Sequence, residues 1–176
     1  PRRQAMIKSL GKNIDVVEMR GNINTRIKKL KNSNIDGIIL AKAGLHRMEM
    51  DSLITQKLSV ESFVPAPGQG VLCIECLSQH SEIMRKIKKV VHLNTEICVS
   101  AERIFAAQMD GDCMSPIGAH ATIQRDLISI TGFVATADGT RFIRNKIEGN
   151  KNNYKDLSTK LSNLFIKMGS KGMLKC

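Results

Sequence analysis

Apolar positions along the chain fall into three patterns, and each predicts a different element. Short, nearly continuous apolar runs bounded by turn residues predict strands at 14–19 (IDVVEM), 35–40 (IDGIIL) and 71–76 (VLCIEC). Helical spacing predicts helices over 2–11, from a cap at Asn22 or Asn24 to about Lys31, and over 43–50, 81–90, 96–109 and 155–168. Gly11 closes the first of these and Gly169 the last. In the helix over 96–109, Ile97, Ala101, Ile104 and Phe105 share a face, Asn94 or Thr95 serves as cap, and Asp110-Gly111 is the stop. Runs at 119–124, 127–135 and 141–148, separated by Asp126 and by the hairpin signal Asp138-Gly139, predict three antiparallel strands.

These elements order themselves into an α/β part and an α+β part. Strand, ten-residue helix and strand over 14–40 make a βαβ unit, hence a parallel sheet with a right-handed crossover. The almost wholly apolar IDGIIL suits a strand covered on both faces. FVPAPGQG, 63–70, carries two prolines and two glycines and reads as a linker. Everything after it from about 93 reads as a small α+β unit.

Charge narrows the partners. The 176 residues carry a net charge of +11, which favours nucleic acid, an acidic membrane surface, or carboxylate and phosphate ligands. Aromatic residues make up only 3% with no Trp, so the base-stacking residues of a single-strand binder are missing. Neither a zinc-finger spacing nor an RNA-recognition aromatic motif occurs. No apolar run is long enough to cross a bilayer, and no signal-peptide pattern opens the sequence. The start at Pro1-Arg2-Arg3, without Met, fits a piece of a longer protein whose leader, if any, lies outside it.

The five cysteines are an odd number and suggest reduced thiols in a cytosol-like compartment. Cys73 and Cys76 have CxxC spacing but sit in a strand-like segment without a second pair, so they read as ordinary strand residues. His46, His80, His92 and His120 show no ligand spacing, and no metal site is expected. Cys113 is different. It stands in DGDCMSPIG, 110–118, a turn stiffened by Pro116, where it suits neither core packing nor a disulfide.

Arginines supply the second chemical signal. Arg20 falls at the end of the first predicted strand, Arg26 in the helix after it, Arg47 in the helix after the second strand, and Arg2 and Arg3 open the chain. Ligands of open α/β sheets bind beyond the carboxyl ends of the strands, so these arginines are expected to converge on one anion-binding edge. Their planar forks grip a carboxylate or phosphate through two bonds. Lys28, Lys29, Lys31, Lys86, Lys88 and Lys89 read instead as solvated helix faces.

RRQ at 2–4, RGNINTR at 20–26, LAKAGLHR at 40–47, PGQG at 67–70 and GDCMSPIG at 111–118 occur in the order seen in porphobilinogen deaminases (hydroxymethylbilane synthases), which the whole chain resembles. The resemblance implies a transferase of haem and porphyrin biosynthesis. It joins four porphobilinogen units head to tail, releasing ammonia, to give the linear tetrapyrrole hydroxymethylbilane. It also implies one dipyrromethane cofactor per chain, thioether-linked at the position of Cys113, with cofactor carboxylates bound by Arg2, Arg3, Arg20, Arg26 and Arg47. Arg20, Arg26, Arg47 and Gln69 match residues at the substrate site.

The same resemblance implies that 1–64 is the later part of a periplasmic-binding-protein-like α/β domain and 65–92 a hinge and crossover segment belonging to domain one. Residues 93–176 then form a C-terminal α+β domain carrying the cofactor cysteine. No carboxylate here matches the family's catalytic aspartate, so no catalytic residue is assigned. The chain alone is expected to be inactive without the N-terminal part of domain one as partner. A cytoplasmic or plastid setting and a monomeric full-length protein are expected, with neither membrane nor nucleic acid as partner. Asp112 departs from a glycine usual in the family, and beside Cys113 it disfavours the thiolate. Pro1 stands where an aliphatic residue is usual. Two rivals account for part of the pattern. A basic nucleic-acid module explains the charge but not PGQG or the loop cysteine, and a solute binder explains the arginine edge but has no use for Cys113.

Overall fold

The structure is a computed structural model that describes residues 1–10, 13–110 and 115–174. Gly11 and Gly111, read as helix stops, Asp112, read as a departure from the family's glycine, and Cys113, read as the cofactor anchor, lie outside the described residues.

The C-terminal half forms the expected α+β unit. Strands β1 (Ile117–Gln124), β2 (Leu127–Ala135) and β3 (Phe142–Asn150) make one antiparallel sheet in the order β1-β2-β3. In β2, Ile128, Ile130 and Val134 point to one face and Phe133 and Ala135 to the other, as the two-residue strand period requires. Two helices, α5 (Leu93–Gln108) and α6 (Tyr154–Lys167), cover the first face through Ala101, Phe105, Leu157, Leu161 and Phe165. Phe105 and Phe165 meet edge to face, with centroids 4.9 Å apart. Gly132 makes room for them, because a Cβ there would stand 2.6 Å from Phe105 Cζ and 3.1 Å from Phe165 Cζ. The last helix, α7 (Ser170–Met173), follows Gly169, whose φ of 88° reverses the chain after α6.

The second face of the sheet receives the N-terminal segment. Helix α1 (Arg2–Lys8) buries Ala5 and Met6 against Phe133, Ala135 and Val64. The intervening chain carries α2 (Ile23–Lys31), α3 (Lys42–Arg47), a 3₁₀ turn at Asp51–Leu53 and α4 (Ser81–Lys88). Asn22 caps α2 as expected, accepting from Thr25 N at 2.8 Å. The cap of α5 is not Asn94 or Thr95 but His92, whose ring nitrogen lies 3.3 Å from Thr95 N, and the helix begins at Leu93. Its stop is Asp110, held at φ 53° and bonded through Oδ2 to Lys171 Nζ at 3.0 Å.

The expected parallel βαβ unit is the main correction. Among the described residues, 14–19, 35–40 and 71–76 join no ladder, and the only sheet is the antiparallel one. A strand exists by pairing, and these runs have no neighbour to pair with. The apolar side chains that a covered sheet would bury stay open, Val17 at 61%, Leu72 at 77% and Ile74 at 59% exposure. Cys73 is therefore an exposed thiol, and Cys76 a half-buried one 3.1 Å from Met84 Sδ, not members of a strand.

Candidate functional site

The site is built around the turn at 64–70. This segment runs along the outer edge of β1, where strand N–H groups face away from β2. Pro65 O accepts from Ala119 N at 3.0 Å, so the linker acts as a short extra edge partner. The chain then folds over at PGQG. Gln69 N donates to Ala66 O at 2.9 Å and Val71 N to Gly68 O at 3.2 Å. Gly68 and Gly70 take φ of 71° and 91°, conformations open to glycine at little cost.

Arg2 and Arg47 bond this turn from outside it, and Arg3 and Arg26 stand beyond them. Arg2 donates Nη1 to Val64 O and Nη2 to Gln69 Oε1, the latter at 3.1 Å. Arg47 donates Nη2 to Gly70 O at 3.0 Å. Arg3 donates to Ile39 O at 3.0 Å and stands close enough to feel the charges of Arg2 and Arg26. Arg26 in turn holds Gly21 O at 2.8 Å through Nε. Arg20 is separate. Its Nε bonds Glu18 Oε1 at 3.0 Å, and both side chains are largely in solvent. Four of the five expected arginines and Gln69 thus belong to one hydrogen-bonded and electrostatic group, and Arg20 does not join it.

Electrostatics give this group its meaning. Burial, then repulsion from Arg3, lowers the Arg2 pKa to about 10, and burial, then Arg26, lowers that of Arg3. Among the described residues no Asp or Glu forms a salt bridge with Arg2, Arg3, Arg26 or Arg47. Arg2 and Arg3 are half-buried like charges, and a ligand anion would offset the cost of holding them together, whereas Arg47 is exposed. The donor set fits a group bearing several carboxylates, because planar guanidinium forks match carboxylates two bonds at a time.

One residue of the site escaped the sequence reading. Glu102 on α5 is 6% exposed. Its Oε2 accepts from Gly68 N at 2.6 Å and its Oε1 from Ala121 N at 2.8 Å. Burial raises its pKa, and the two backbone N–H groups work against that rise. His120 Nδ1 lies 3.7 Å from Oε1, but burial lowers the His120 pKa, so at neutral pH the contact is not an ion pair. The signal was present in the sequence, since 102 falls three residues before Phe105 and four after Cys98 on the buried face of the helix.

A turn bonded by arginines that, among the described residues, no carboxylate salt-bridges lies against an α+β unit, an arrangement of the class that can hold a polyanionic small molecule. Its relatives give that class a name. Residues 1–85 match the family model "Porphobilinogen deaminase, dipyromethane cofactor binding domain" and residues 96–167 match "Porphobilinogen deaminase, C-terminal domain". The chain belongs to the porphobilinogen deaminase family. It is 42% identical over 166 residues to a porphobilinogen deaminase of Clostridium botulinum (strain Kyoto), covering 94% of this chain and 56% of that protein. With that of Pelotomaculum thermopropionicum it shares 36% over 174 residues, 99% of this chain and 56% of the other. With that of Trichlorobacter lovleyi the identity is 35% over 173 residues, 98% and 55%. The chain thus spans just over half the length of these relatives.

Proposed function

We propose that this chain is part of a transferase that joins four porphobilinogen units head to tail with release of ammonia, giving hydroxymethylbilane for haem and porphyrin synthesis. The observation that carries the reading is that Arg2 and Arg47 bond the 64–70 turn, with Arg3 beside Arg2 and Arg26 beside Arg3, and no carboxylate salt-bridged to any of them among the described residues. Each porphobilinogen brings two carboxylates, so a growing chain demands such a field of fixed cations. Arg20 belongs to the proposed site through its family motif, and its exposed side chain is free to exchange Glu18 for a ligand carboxylate at little cost.

Dipyrromethane, thioether-linked through Cys113, supplies the pyrrole terminus to which units are added. The chain's own contribution is to hold the carboxylates. Arg2 and Arg47 grip at the turn, Arg3 and Arg26 beside them, and Gln69 orients the incoming unit through an amide already fixed by Arg2. The residues flanking the anchor loop are themselves fastened, Asp110 to Lys171 on one side and Pro116 O to Ala135 N at 3.2 Å on the other. No helix of the described residues is long and apolar enough to cross a membrane. The free thiols of Cys73, Cys76 and Cys98 suit a reducing compartment such as the cytoplasm. We read the full-length protein as a monomer.

The test is turnover. Full-length protein given porphobilinogen releases ammonia and forms a linear tetrapyrrole, whereas the 176-residue chain alone does not. Failure of the full-length protein, together with nucleic-acid binding that falls steeply with salt, contradicts the proposal in favour of a basic binding module.

A further inference from the structure

Glu102 is an acid in a place where the core would accept an apolar residue. Its helix neighbours Ala101 and Phe105 are fully buried, and its own side chain is nearly so. Both oxygens are committed to backbone N–H groups on two different segments, the PGQG turn and the free edge of β1. Along that edge Ala119 N is met by Pro65 O, and two residues on, where the linker turns away, Ala121 N is met by the Glu102 carboxylate. The carboxylate takes the place of the next strand carbonyl and fastens Gly68 in the same act. From Gly68 the chain leads at once to Gln69, bonded to Arg2, and Gly70, bonded to Arg47.

We infer that Glu102 is a positioning residue that sets the 67–70 turn, and through it the placement of Gln69, Arg2 and Arg47, for a carboxylate-bearing ligand. The inference rests on the proposed deaminase reading for the identity of that ligand, but the clamp itself does not. Glutamine at 102 keeps the shape and loses the function, because its NH2 must face one of the two N–H donors and one hydrogen bond to a charged acceptor is forfeited. Alanine at 69 removes the amide that the clamp places. If both act through the turn, their effects are not independent.

In full-length protein, Glu102→Gln is expected to raise KM for porphobilinogen about tenfold, with kcat within about twofold, as loss of one charge-assisted hydrogen bond in ligand placement predicts. Gln69→Ala is expected to do the same, and the double variant to do little more than either single one. A Glu102→Gln protein with a lowered Tm but unchanged KM, or a double variant whose effects multiply, overturns the inference. Amide exchange in unaltered full-length protein decides the matter even if the variants fail to fold. Gly68 N–H should exchange at least about tenfold more slowly than an open amide, and exchange at the open rate overturns the clamp. Absence of porphobilinogen turnover in the unaltered protein would instead remove the deaminase reading and leave the exchange result standing.

Discussion

Asp138 and Arg2 both have lowered pKa values, and the causes are opposite. Asp138, in the β2–β3 loop, falls to about 2 because the Thr136 hydroxyl, at 2.5 Å, and then Thr140 N, at 3.0 Å, both donate to its Oδ1. It is a satisfied structural acid. Arg2 falls to about 10 because burial and Arg3 both oppose its charge and no acid forms a salt bridge with it among the described residues. On the proposed reading it is a cation that a ligand carboxylate would pair. The Asp138 contrast is measurable. Its folded pKa lies below the ordinary 3.8, so its stabilising effect is present above about pH 4 and is lost as pH falls through 2. Denaturant melts should therefore show Asp138→Asn less stable than the unaltered chain at pH 7, with the gap closing by pH 2. A gap independent of pH would mean that the loop hydrogen bonds do not favour the carboxylate. Sequence alone exposed the arginines through their motifs, and helical spacing puts position 102 on the buried face of α5, but nothing local reveals that the edge of β1 needs an acid there as its acceptor.

At the scale of elements, legibility followed hydrogen-bond partners. The three antiparallel strands and the helices over 93–108 and 154–167 were readable because each finds its partner within a few residues or on the adjoining face. Strand propensity at 14–19, 35–40 and 71–76 was equally visible, yet propensity does not supply the neighbour that a ladder needs. The chain spans just over half of its relatives' length, which is consistent with pairing partners elsewhere in a longer protein. Within the C-terminal unit the tightest constraint is Gly132 beneath Phe105 and Phe165. Gly132→Ala forces an aromatic pair apart, and overpacking of this kind costs about 1–3 kcal/mol. Equilibrium unfolding should register that loss, and an alanine variant as stable as the original would show that the two rings repack freely.

Across the molecule, the arginine group joins parts far apart in the sequence. Arg2 reaches Val64 and Gln69, α1 packs on β2, and Glu102 draws the linker onto β1, so the cation field is held by the same contacts that fasten the N-terminal segment to the C-terminal sheet. On the proposed reading, that field faces an anion held in front of it through many turnovers. Cys113 is the proposed anchor, and a thioether resists both hydrolysis and cellular thiols. The intact mass of denatured full-length protein, compared with its Cys113→Ser variant, tests this most directly. The account predicts that the unaltered protein exceeds its sequence mass by one dipyrromethane and that the variant does not. Both proteins at their bare sequence masses would contradict it.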